Sequence, residues 1–193
     1  MKRSIGAKTV IFPAPVFVVG TYDAAGKPNI MTVAWGGICA SNPPSIAISV
    51  RKSRHTYEAI AANQAFTLSL PSVDQAKEAD YAGIESGAKV DKFAELGLTP
   101  VKGSTVNAPY VGEFPLAVEC ALIHSFDLGS HVQFVGEIMD VKAGEEVFDA
   151  NGVVDITKVR PLTFSPSDGG YYGIGEYIGQ SFSIGKRQPK DGA

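Results

Sequence analysis

The chain has 193 residues, 45% of them apolar and 19% charged, enough to bury one core and too apolar for a disordered or low-complexity polymer. Seventeen Lys and Arg against 20 Asp and Glu leave a net charge of -3, which offers no broad attraction to a nucleic-acid backbone or an anionic membrane. The longest apolar stretch, residues 10–20, is too short for a bilayer and is broken by Pro13 and Pro15, so neither a membrane span nor a signal peptide is expected.

With 21 Gly and 12 Pro the chain is turn-rich, and a mainly β fold is expected. Residues 16–22 and 29–35 read as strands because Val, Phe, Thr and Ile favour pleated structure, and residues 23–28, with Gly26 and Pro28, form the turn between them. Residues 36–44 read as a loop, since Asn42-Pro43-Pro44 bars helix and central strand alike, and residues 45–50 read as a third strand. The period then changes. Ile60 and Ala61 follow Tyr57 at three and four, Ser53 is available as an N-cap and Glu58 lies near the start, so a helix is expected over residues 54–63. Residues 65–70 return to strand.

Two short helices are expected at residues 74–81 and 90–96, in a stretch of alternating charge that reads as an exposed excursion from the sheet. Residues 116–126 and 131–141 carry the clearest β signal and are joined by a short turn containing Gly129, which fits an antiparallel hairpin. Within the second run Val132, Phe134, Gly136 and Ile138 share one face, the pattern of a half-buried strand. Further short strands are expected in the remainder, and the basic tail, residues 186–190, reads as mobile. No repeat or shift of composition divides the chain, so one domain is expected over residues 1–193. Without βαβ alternation, that domain reads as a closed antiparallel barrel with short helices packed outside.

Chemistry concentrates where the third strand meets the first helix. Arg51, Lys52 and Arg54 sit beside the hydroxyls of Ser53 and Thr56 and the free N–H groups of a helix start, a set suited to one phosphate monoester. The same residues also read as a solvated basic turn, although three cations there oppose the helix dipole and call for a compensating anion. In the second strand Asn29 and Thr32 interrupt an apolar run that ends at Trp35, the only tryptophan. That strand reads either as core with Trp35 as filler or as one wall for a planar ring, with Asn29, Met31, Val33 and Trp35 on one face and Thr32 and Ala34 on the other. His131, at the hairpin mouth, is a ligand contact or proton donor in one reading and a solvated turn residue in the other.

Other sites find no support. Residues 173–179 read GxGxxxG, off by one from the dinucleotide fingerprint, and His55, His124 and His131 lack metal-ligand spacing. Cys39 and Cys120 are too far apart for a redox CxxC pair and too few for a disulfide scaffold, which fits a reduced, cytoplasmic protein.

Residues 15–23, Gly26-Lys27-Pro28-Asn29, Thr32-Val33-Ala34-Trp35, Asn42-Pro43-Pro44, residues 49–56 and Gly129-Ser130-His131 ahead of a Val-rich strand together resemble the flavin reductase-like, FMN-binding split-barrel family, most nearly its flavoredoxin branch. The resemblance implies a six-stranded split β-barrel of antiparallel Greek-key type, forming a homodimer with FMN near the subunit interface. By position it implies Asn29, Met31, Thr32, Val33, Ala34 and Trp35 along the isoalloxazine and ribityl chain, and Ser49, Arg51, Ser53, His55 and Thr56 around the phosphate. His131 matches the family's histidine near the flavin and nicotinamide. Ser130 stands where the reductases usually carry Asp, so the resemblance favours a carrier that relays electrons between protein partners through tightly held FMN. An NAD(P)H:flavin oxidoreductase and a non-catalytic flavin-binding module are the alternatives.

Overall fold

A strand with apolar residues on both faces has to be covered twice, and β2 (Phe17–Tyr22) is such a strand: Phe17 and Val19 enter one hydrophobic cluster while Val18 enters another. The computed structural model describes residues 1–186, so residues 187–190 of the expected mobile tail lie outside the described residues. In it β2 lies between β3 (Pro28–Val33) and β6 (Ala65–Leu70). Beyond these come β4 (Gly36–Ser41), β5 (Pro44–Val50), β9 (Leu116–Asp127) and β10 (Val132–Ala143). They form one seven-stranded antiparallel sheet in the order β3-β2-β6-β9-β10-β5-β4.

Met31 and Val33 at one end of that order share a core with Ile46 and Ile48 near the other, so the sheet curls around its inner cluster. Among the described residues no ladder joins β3 to β4, and the barrel is split rather than closed. Residues 36–41, expected as loop, are instead the seventh strand. Pro43 and Pro44 stop pairing only at the turn, while Gly36 to Ser41 pair back onto β5 at the sheet edge. Gly36 is needed there because a Cβ would sit 2.7 Å from the Ala47 carbonyl oxygen.

The expected helix is α1 (His55–Asn63), which carries Ala59 and Ile60 into the interior. Its N-cap is Arg54, without a side-chain hydrogen bond, rather than Ser53. The charged stretch holds α2 (Ala76–Ile84) and α3 (Lys92–Leu96), and it is packed rather than an exposed excursion. Ala79, Ala82 and Phe93 join Val18 and Ile30 in the outer cluster, covering the second face of β2 and β3. A short sheet of β1 (Ala14–Pro15), β11 (Thr163–Phe164) and β12 (Tyr171–Tyr172) lies alongside, with β11 in the middle and α4 (Ile156–Val159) leading towards it.

Outward residues of β6 and β9 are polar because an irregular segment binds there. β7 (Pro100–Lys102) and β8 (Pro109–Val111) form a two-stranded sheet. Thr67 donates to the Pro109 carbonyl and Ser69 accepts from the Val111 N–H. Beside Thr67, the fully buried Glu119 accepts hydrogen bonds from the N–H and hydroxyl groups of both Ser104 and Thr105. Burial opposes its charge, yet those bonds outweigh burial and hold the carboxyl at about 2.

Glu119→Ala therefore strands the Ser104 and Thr105 donors and is expected to cost about 1–3 kcal/mol in denaturant unfolding. Because the folded-state pKa is depressed, the stability due to Glu119 is present above the ordinary glutamate range and is lost as pH falls towards about 2. The acid limb of a stability–pH curve should be flatter in Glu119→Ala than in the parent; parallel limbs would contradict the assignment.

Candidate functional site

Three strand ends and one helix start converge on a single cleft. Residues 31–35 come from the end of β3 and the chain after it, Ser49 and Val50 from the end of β5, Arg51 and Arg54 from the turn into α1, and His131 from the residue before β10. The convergence follows from register. Val132 of β10 lies opposite Val50 of β5, and the Ser49 N–H donates to the Trp35 carbonyl at 2.8 Å, tying the β3 exit to β5. The cavity measures about 200 Å³ and is open on one side.

Its floor is apolar and rigid. Met31 and Val33 belong to the inner cluster, and Trp35, 37% exposed, leans on Phe164 with ring centroids 6.3 Å apart. Thr32 turns to the other face, where its hydroxyl donates to the Ala79 carbonyl of α2. The rim carries the charge. Lys52 pairs with Asp127 across the hairpin mouth, but among the described residues neither Arg51 nor Arg54 makes an ion pair. Two exposed guanidinium groups beside a helix start remain available to an anion.

Of the residues singled out from the sequence, Met31, Thr32, Val33, Ala34, Trp35, Ser49, Arg51 and His131 line this cleft. Asn29, Ser53, His55 and Thr56 are not among its lining residues. Asn29 and Thr56 are buried and bond each other, the Asn29 amide donating to the Thr56 hydroxyl at 3.0 Å, which locks β3 to α1. Ser53 is exposed in the turn, and His55 opens α1 with a buried Nε2 that has no hydrogen-bond partner. His131 presents its ring at the rim, with Nδ1 2.9 Å from the Ser130 hydroxyl. Val50 lines the cleft as well, although nothing in its apolar strand pattern sets it apart.

Comparison with known proteins agrees with this geometry. A family model described as "Flavin reductase like domain" matches residues 9–174. Among solved structures, flavoredoxin of Desulfovibrio vulgaris (Miyazaki F) is 54% identical, with a TM-score of 0.92 over 96% of this chain and 100% of that one. Flavoredoxin from Methanosarcina acetivorans is 33% identical, with a TM-score of 0.90 over 96% and 98%. A protein of Archaeoglobus fulgidus is 30% identical over 154 residues, 80% of this chain and 86% of its own.

The two thiols differ sharply in surroundings. Cys39 is exposed on the edge strand β4 close to the Trp35 exit, whereas burial, with Glu119 adjacent, pushes the Cys120 thiol up to about 12. A thiol reagent at neutral pH is expected to label one cysteine per native chain and two after denaturation. Prompt labelling of both in the native protein would contradict the burial of Cys120.

Proposed function

Because the chain belongs to the flavin reductase-like family, we propose that the cleft between β3, β5 and β10 holds FMN and that the protein relays electrons through it, as a flavoredoxin does. The observation that carries this reading is the pairing of an apolar, aromatic-edged floor with two arginines that have no carboxylate partner among the described residues. A planar ring suits the floor and a phosphate suits the rim. Met31, Val33, Ala34 and Trp35 would line the ring, while Ser49, Arg51 and Arg54 would hold the phosphate, with Ser53 and His55 beside it. Bound FMN supplies one- and two-electron chemistry; the protein binds it, orients it and sets its electrostatics. An exposed free thiol at Cys39 suits the reducing cytoplasm.

A homodimer is part of the proposal. The cavity of about 200 Å³ is smaller than the ~300–1,000 Å³ usual for ligand clefts, so one chain would cover only part of an FMN molecule. Ile38 on edge strand β4 is 70% exposed, and Phe126 and Leu128 at the tip of the β9–β10 hairpin are 50% and 59% exposed. Apolar residues so exposed mark an association surface, and a second copy seated there would close the open side.

His131 on the cleft rim favours the second reading, an NAD(P)H:flavin oxidoreductase that reduces free flavin, because an imidazole there can meet a nucleotide or donate a proton. Anaerobic mixing with NADH or NADPH separates the two. A carrier keeps its flavin oxidised until a protein donor is added, and an oxidoreductase turns over added flavin.

The purified protein is expected to elute from gel filtration as a dimer with a flavin spectrum. Arg51→Ala should weaken FMN by about 10–100-fold, the worth of a charge-assisted contact, and riboflavin far less, since riboflavin has no phosphate. Equal losses for the two ligands, or a colourless monomer that takes up neither, would overturn the proposal.

A further inference from the structure

After β12 the backbone continues as an arm, residues 173–186, that belongs to no strand or helix. Among the described residues its only backbone hydrogen bonds are local: the Ser183 and Ile184 N–H groups donate to the Gln180 carbonyl, and the Lys186 N–H donates to that of Ser183. A solvated tail of this kind is ordinarily polar. Residues 177–184 instead contain no charged side chain, and Tyr177, Ile178, Phe182 and Ile184 are 78%, 84%, 95% and 64% exposed. The match to the flavin reductase-like domain ends at residue 174, so the arm lies beyond the shared barrel.

A groove of matching character borders the cleft. It measures about 400 Å³, is lined by Ile11, Pro13, Pro15, Trp35 and Pro166 among others, and has no charged lining residue. Ala34 and Trp35 line both groove and cleft, so whatever fills the groove packs behind the ring that edges the flavin floor. Gly36, the first residue of β4, also lines it and joins it to the edge strand on which Ile38 is exposed. No residue of the chain's own arm lines this groove among the described residues.

We propose that the arm is exchanged between two copies of the chain: residues 177–184 of one copy seat in the groove of the second, whose own arm returns the contact about the two-fold axis. This rests on the homodimer of the reading above and names the segment that builds it. Residues 174–179 alone, when extended, reach about 20 Å, enough to cross onto a neighbour. A buried Tyr or Phe removes about 150–250 Å² from water and an Ile somewhat less, so one arm contributes on the order of 600 Å². Two reciprocal arms and the grooves they cover reach the ~1,200–2,000 Å² of a specific interface, as an isologous contact requires of one self-complementary surface. Each cleft thereby gains a backing for Trp35 that its own chain leaves open.

The test is site-directed photo-cross-linking of the full chain. Ile178→Cys is made together with Cys39→Ser, so that the one other thiol, Cys120, is buried, and is labelled with a benzophenone maleimide. After irradiation, a denaturing gel should show a covalent dimer, and peptide mapping should join residue 178 to residues 9–15 or 34–36. Cross-links confined to one chain, covalent dimers joined elsewhere, or no cross-link at all would overturn the exchange. In parallel, Tyr177→Ser/Ile178→Ser/Phe182→Ser should raise the dimer dissociation constant at least about 100-fold by sedimentation velocity, because three apolar anchors are lost. A dimer as tight as the parent's would contradict the proposal. A flavin-loaded dimer that gives no cross-link from residue 178 refutes the exchange and leaves the flavin reading standing, whereas the mapped cross-link in a protein that takes up no FMN supports the exchange and refutes that reading.

Discussion

Strand β3 has no free face, and the rest of the molecule is arranged around that constraint. Met31 and Val33 fill the barrel interior while Ile30 lies under α2 and α3 in the outer cluster. Three side-chain bonds then fix its backbone: Asn29 to Thr56 of α1, Thr32 to the Ala79 carbonyl, and Lys92 to the Ile30 carbonyl. A strand held from both sides cannot shift by one residue without exchanging its buried sets. Its exit at Ala34 and Trp35 is accordingly stiff, and it forms the floor of the cleft. The helical stretch between β6 and β7 therefore contributes to the site without touching it.

Charge is distributed in the same economical way. The overall balance of 17 cations against 20 anions is nearly neutral and describes no particular partner. Locally, Lys52 is neutralised by Asp127 and Lys142 lies beside Asp140 and Glu119, while among the described residues Arg51 and Arg54 at a helix start have no carboxylate partner. A small anion satisfies such an arrangement, whereas an extended polyanion needs a stripe of cations.

Much of this was legible in the residues, and the exceptions have physical causes. The β2–β3 hairpin, α1 and the β9–β10 hairpin stand out because their apolar periods are unambiguous. β4 does not: Gly36 and Gly37 carry little strand propensity, and the pairing that makes it a strand comes from β5 on the far side of the Asn42-Pro43-Pro44 turn. The packing of α2 and α3 was hidden because α2 buries only the small side chains Ala79 and Ala82 and α3 buries Phe93 beside a lysine, all set among charges. Lys92 reads as one more solvated cation in such a stretch; its burial is imposed by β3, whose Ile30 lies 62 residues earlier in the chain. Asn29 stands out as a polar interruption, but that its partner is Thr56 of α1 is tertiary information. From its neighbours Arg51 reads equally as an anion ligand or as part of a solvated basic turn, and what the fold adds is its place on the cleft lining.

The central claim is that the cleft formed by β3, β5 and the start of α1 is where the flavin sits. A crystal structure of the protein with FMN tests it most directly. The account requires the ring against residues 31–35, the phosphate between Arg51 and Arg54, and a second copy closing the open side. A flavin found elsewhere, or one whose phosphate points away from both arginines, would contradict it.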